Sequence, residues 1–316
     1  MAYYTGSVSS YADIRTALIA ALTANGWTWD SGNEVLYKAP MYVRIQTTAT
    51  KVHFLMRTAL LTDPCPYAVA IGRSGSGVTG GQTADLQNDI TFPATYHCHV
   101  FAEEIYLIVN HDAIKYQFCT FGKSNVPGIP GSGLYISGTC NANEAGMFGT
   151  SYSAYNNNNI SGSGMFSSSA GTVCYSPFWF QGMTPYAISP QFCNSFVDTN
   201  LDAQRWILSA GGNDNGIGIS YLTNLLNCQP NAYNSESVLL PIRAYKTRPS
   251  SKLSLVLDLA YARFLRIDNY DPGQIITLGA DQWKVYPTFR KDMTNRSCTV
   301  VTNHSGTFGW AIKYEP

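Results

Sequence analysis

Alternation at a period of two is the feature that most restricts how this chain can fold. Met41, Val43 and Ile45 alternate with Tyr42, Arg44 and Gln46, and Val52, Phe54 and Met56 repeat the pattern. Successive side chains of an extended strand point to opposite faces, so such runs pack as β-strands with one apolar face. Ile105, Leu107 and Val109 continue the pattern. They are expected to pair with Ile114, Tyr116 and Phe118 across a turn at Asn110-His111-Asp112.

One segment follows helical spacing instead. Ile14, Ala17, Leu18, Ala21 and Leu22 recur on one helix face, Ser10 with Asp13 three residues on supplies a start, and Asn25-Gly26 supplies a stop. The expectation is one amphipathic helix at about residues 10–25 on antiparallel strands, so that residues 1–122 form an α+β unit.

The texture then changes. Ser124 to Val197 is 74 residues with one formal charge, Glu144, and it is dense in Gly, Ser, Asn, Tyr and Pro. Its many aromatics, Phe178-Trp179-Phe180 among them, supply apolar area that a disordered linker lacks. Tyr, Ser, Gly and Asn are also the residues that adaptable contact surfaces use. Residues 123–236 are therefore expected to be a loop-rich, low-charge interface region. Residues 237–316 return to strands. A turn at Asp271-Pro272-Gly273 precedes Ile275–Leu278, and Gly279-Ala280-Asp281 leads into Trp283–Tyr286. Ser297–Thr302 then leads through 303–306 into Thr307–Tyr314, where Phe308, Trp310, Ile312 and Tyr314 share one face. The fold class expected is α+β, predominantly antiparallel β: an N-terminal helix-on-sheet unit, a loop-rich centre and C-terminal β-hairpins.

Charge narrows the function. Only 13% of the 316 residues are charged, 20 of each sign, against about 25% in ordinary soluble domains. That composition argues against a coiled coil, a charged disordered tail and a polybasic nucleic-acid binder. The balance hides polarity, because residues 241–316 hold 11 Lys/Arg against 6 Asp/Glu and the rest hold 9 against 14. No stretch offers the roughly 18 apolar residues a transmembrane helix needs. The first cation is Arg15, so the n-region of a signal peptide is missing. Eight cysteines without a CxxC are expected to be free thiols, in a chain made and folded in a cytoplasm.

Each motif with chemical potential has a structural explanation beside it. Gly75-Ser-Gly-Val-Thr-Gly80 matches a dinucleotide fingerprint, but no apolar helical stripe follows it, and a flexible loop is the better reading. Gly122-Lys123-Ser124 mimics the end of a phosphate loop, with Gln117 where the first glycine belongs. Gly72-Arg-Ser74-Gly75 falls short of a nucleophile elbow. His97 and His99 share a face, a spacing used by metal sites, with Cys119, His53 or Cys65 as further ligands; the alternative is two strand histidines filling a half-buried face. Glu103 and Glu104 point apart if extended, and Asp198, Asp202 and Asp214 suit turns. Arg243, Lys246, Arg248 and Lys252, interleaved with Tyr245, are expected at a solvated edge or against an acidic neighbour. No catalytic, cofactor-binding or metal residue is assigned, and no cofactor is expected.

Several segments carry a family likeness: Ser237–Ile242, Ala262–Asn269, Ile275–Gly279, Trp283–Pro287 and Ser305–Ile312, with the opening Met1–Gly6, Tyr11–Asp13 and Gly26-Trp27. These segments resemble tailed-bacteriophage virion structural proteins of the tail-tip or baseplate type, also found in prophages. The resemblance covers about half the chain and implies membership, with no functional residue to carry over. It implies a non-enzymatic tail component, assembled in the host cytoplasm as a homo-oligomer of threefold or sixfold symmetry with other tail proteins. A receptor-binding protein that contacts the host surface is the alternative. A tail-associated polysaccharide-degrading enzyme is the second alternative.

Overall fold

In the computed structural model, the alternating segments form strands in three antiparallel sheets around one helix. The structure describes residues 1–62, 64–65, 68–72, 90–141, 194–208, 216–217, 238–250, 252–267, 270–288, 291 and 308–316. The architecture is mainly antiparallel β with an N-terminal helix, as the periodicity predicts.

Helix α1 (Tyr11–Thr23) begins where Ser10 Oγ accepts from the Asp13 amide at 3.1 Å and the Asp13 carboxylate accepts from the Ser9 amide at 3.0 Å. These bonds satisfy amides that a helix start leaves open. Gly26, at φ +79°, ends it in the left-handed region that a side chain disfavours. The buried face is Tyr11, Ile14, Leu18, Ala21 and Leu22.

The middle sheet has seven strands in the order β1 (Ala2–Val8), β7 (Ala94–Val100), β8 (Glu104–His111), β9 (Lys115–Lys123), β10 (Leu134–Gly138), β12 (Asn194–Leu201) and β13 (Gln204–Leu208). The N-terminal sheet has six: β11 (Cys140–Asn141), β6 (Val69–Gly72), β5 (Lys51–Arg57), β4 (Met41–Thr47), β3 (Val35–Lys38) and β2 (Thr28–Asp30). The C-terminal sheet has β14 (Gly216–Ile217), β15 (Leu240–Arg248), β16 (Lys252–Arg266), β19 (Phe308–Tyr314), β18 (Asp281–Pro287) and β17 (Ile275–Leu278).

The middle sheet is covered on both faces. Ile105, Leu107, Val109, Cys119 and Phe121 join one core with α1 and the N-terminal sheet's Val43, Ile45, Val52 and Phe54. Tyr106, Ile108, Phe118 and Tyr135 join a second core with Ile242, Leu257, Phe264, Trp310 and Ile312 of the C-terminal sheet. Two-sided cover explains why β8 and β9 are buried almost throughout, where one solvated face is usual for antiparallel strands. The middle sheet takes strands from both sides of residue 122, where the composition changes.

One register differs from expectation. The β8–β9 loop is Asp112–Ile114, two residues later than the sequence suggests, with His111 opposite Lys115. Ile105, Leu107 and Val109 therefore lie opposite Phe121, Cys119 and Gln117, while Tyr116 and Phe118 point to the other core. Asp112 and Ala113 both adopt positive φ, which Asp tolerates better than most residues and which moves the turn. The hairpin β17–β18 forms as expected, with Leu278 opposite Asp281. The strand predicted at Ser297–Thr302, the glycine loop 75–80, Asp214 and most of the low-charge centre lie outside the described residues.

Candidate functional site

Chemistry-bearing side chains gather where the C-terminal sheet covers the middle sheet, in three places along that seam. At one edge, period-two geometry on β7 turns His97 and His99 away from Cys98 and toward β18 and β19. Lys284 Nζ donates to the Tyr3 hydroxyl at 2.9 Å, and that hydroxyl lies 2.7 Å from His97 Nδ1. Lysine can only donate, so the tyrosine proton is free to pass on to the imidazole. His99 Nε2 shares a 2.9 Å hydrogen bond with the Tyr286 hydroxyl. The Lys284 ammonium also lies 4.6 Å from the Tyr3 ring centre and 5.3 Å from that of Tyr314, within cation–π range.

Both imidazoles are held neutral. Burial, then the Lys284 charge, pushes His97 down to about 4. Burial, then repulsion from His97 if it is also protonated and from the Lys284 charge, pushes His99 down to about 3, against a hydrogen bond to the Lys313 backbone that raises it. Neither can supply a proton as a general acid near neutrality. The sequence's metal set is dispersed: Cys119 faces the opposite core, His53 sits on β5 of the N-terminal sheet, and Cys65 belongs to that same opposite core. Among the described residues no group of three His, Cys, Asp or Glu side chains stands close enough to hold a metal ion.

The second cluster centres on Glu104, which is 2% exposed. Its carboxylate accepts from the amides of Ala260 at 2.7 Å and Tyr261 at 3.2 Å, and from the Tyr106 hydroxyl. The reason lies in β16, where Pro241 opposes Arg263 but Arg243 opposes Asp258, so extra β16 residues bulge between them. A bulge leaves amides without a strand partner, and Glu104 supplies one across the seam. Burial raises its carboxyl, against the opposing effect of those hydrogen bonds. Its neighbour Glu103 is exposed, so the two carboxylates do not act together.

The third cluster sits at the β12–β13 turn. Asp202 and Ala203, both at positive φ, form the two-residue turn between Leu201 and Gln204. Arg248 donates to both oxygens of Asp202 at 2.8–3.2 Å and holds its carboxyl below the usual range. Buried Lys246 donates to the Leu201 carbonyl at 2.5 Å and lies 3.5 Å from Asp202. Arg243 pairs with Asp258 at 3.0 Å. The basic cluster of β15 therefore meets acidic neighbours in its own chain, while Lys252 is exposed. Asp198 is buried and accepts from the Ser132 hydroxyl at 2.6 Å and amide at 3.2 Å, so it braces a loop.

Gly122-Lys123-Ser124 closes β9, and no helix starts there. A Cβ on Gly122 would lie 2.1 Å from the Glu103 carbonyl oxygen, so the glycine serves close strand approach. Sequence reasoning singled out the histidines and missed their partners. The signal was the alternation in β18, which puts Lys284 and Tyr286 on the face opposite Trp283 and Val285.

No protein-family model matches the chain, and no curated protein matches it significantly.

Proposed function

We propose that the chain is a structural component of a bacteriophage tail, at the tip or baseplate, that assembles with copies of itself and with other tail proteins. The observation that carries this reading is the use made of a small set of charges. Arg243 and Lys313 pair with Asp258 and Asp281, Arg248 and Lys246 share Asp202, and Glu104 is consumed by the seam. Such pairing leaves an exterior poorer in free charge than the 13% of charged residues implies, and large permanent interfaces share that character. The likeness of both chain ends to tail proteins supports the same reading. Buried free thiols at Cys65, Cys98 and Cys119 suit assembly in a host cytoplasm. In this reading the chain is non-catalytic, belongs to the virion tail and forms a threefold or sixfold oligomer.

One feature favours the receptor-binding alternative. Tyr37 and Tyr42, opposite each other on β3 and β4, stack with ring centres 5.4 Å apart at 14°, and both are partly exposed. Paired aromatics with solvent access suit a contact surface.

The test is to label particles of the phage that encodes the chain with antibody raised against the purified protein. Label on the tail, with a defined oligomer by light scattering, is the expected result. Particles that lack the chain overturn the proposal, and label confined to a distal tip that host cells block selects the receptor-binding alternative.

A further inference from the structure

We infer that the Tyr3–His97–His99–Lys284 cluster is an acid-sensitive latch that keeps the C-terminal sheet closed on the edge of the middle sheet while both imidazoles are neutral. Two bonds between described side chains cross this edge, Lys284 to Tyr3 and Tyr286 to His99, and the Tyr3–His97 bond ties the first of them to an imidazole. The contacts to Lys284 and Tyr286 join β1 and β7 to β18, while Tyr3 and His97 link β1 to β7. A proton on His97 Nδ1 reverses its bond to Tyr3 and puts a second cation beside the Lys284 ammonium.

Among the described residues no carboxylate contacts either imidazole; the Thr5 hydroxyl lies 3.3 Å from His97 Nδ1, and the Lys313 backbone bonded to His99 favours its charged form. Facing the imidazoles are Tyr3 from β1, Lys284 and Tyr286 from β18 and Tyr314 from β19, with ring centres 4.8–6.5 Å away. From β8, Tyr106 is the register partner of His99. The next acid on that face, Glu104, is occupied by Tyr106 and two amides, and Glu315 acts on Lys313. The sign follows from linkage. Both histidines lie below 6.5 when closed, at about 4 and about 3, so the opened seam binds more protons and acid favours opening. Glu104 runs the other way, because its raised carboxyl keeps its proton better when closed. The hydrogen bonds from Arg248 hold the Asp202 carboxyl below its ordinary range.

The full-length protein, followed by hydrogen exchange corrected for intrinsic rates between pH 6.5 and 4.5, tests the latch. Amides of β18 and β19 are expected to lose protection by roughly tenfold or more, while α1 and β4 keep theirs. His97→Asn with His99→Gln preserves the acceptor positions without a titrating ring, and is expected to flatten that response. His53 and His111, buried elsewhere, remain in this variant as internal controls. Lys284→Met, the second variant should the first not fold, removes an ammonium that pushes both imidazoles down, and is expected to shrink the acid-driven loss of protection. Flat protection in the wild type, an equal loss in the double variant, or an undiminished loss in Lys284→Met overturns the proposal.

Discussion

The two seams of the middle sheet are built from different material. Toward the N-terminal sheet it is faced by α1 and mainly by aliphatic side chains, and its cohesion is chiefly burial of apolar area, with a buried hydrogen bond across it from the Gly72 amide to the Gln117 side chain at 2.6 Å. Toward the C-terminal sheet the core is richer in aromatic side chains, and it is bracketed by the Glu104, Asp202 and His97/His99 clusters. A dry seam loses stability in proportion to the volume removed. A pinned seam loses it in steps, because each removed partner strands others in a low-dielectric interior. The same protein should therefore answer differently to mutation on its two sides, while buried His111, pushed down to about 4, gives the N-terminal side an acid response of its own.

The largest expected effect comes from breaking the pinned side at its most buried point. Glu104→Leu leaves the Ala260 and Tyr261 amides and the Tyr106 hydroxyl without their acceptor, and is expected to cost about 3 kcal/mol or more. Glu104→Gln keeps one acceptor oxygen and should recover part of it; chemical denaturation of the three proteins checks the order. Next is the dry side, where Leu18→Ala removes a fully buried side chain of α1 and should cost about 2–5 kcal/mol with no dependence on pH. A loss for Leu18→Ala that varies between pH 7 and pH 5 would erase the contrast between the seams. Gly122→Ala should cost about 1–3 kcal/mol, because backbone, not a flexible side chain, occupies the space its Cβ needs. The smallest effect is at the rim. Asp258→Asn removes the exposed pairing with Arg243 and should change stability by less than about 1 kcal/mol, shrinking further at high salt.

What the sequence shows and hides follows from the range of the interactions involved. The helix is legible because its cap, its apolar face and its glycine stop all lie within residues 9–26. The hairpin β17–β18 is legible for the same reason, being closed by a local turn. The β8–β9 register is not, because Asn-His-Asp and Asp-Ala-Ile are both acceptable turns, and a shift in turn position decides which side chains face which core. The role of Glu104 is also hidden, since its partners Ala260 and Tyr261 are more than 150 residues away and the bulge that needs them exists only in the folded β16. His97 and His99 announce a shared face by their spacing, yet nothing local indicates that Tyr3 and Lys284 from opposite ends of the chain complete the cluster. The change of composition after residue 122 suggests a boundary; in the fold, β10, β12 and β13 extend the same sheet across it.

That shared sheet is the central claim, and residues 1–122 expressed alone test it most directly. Without later strands and the C-terminal sheet, Tyr106, Ile108, Tyr116 and Phe118 lose their cover. The fragment is expected to show no cooperative thermal unfolding and to bind dyes that report exposed apolar surface. A monomeric fragment that unfolds in one sharp transition would contradict the three-layer account.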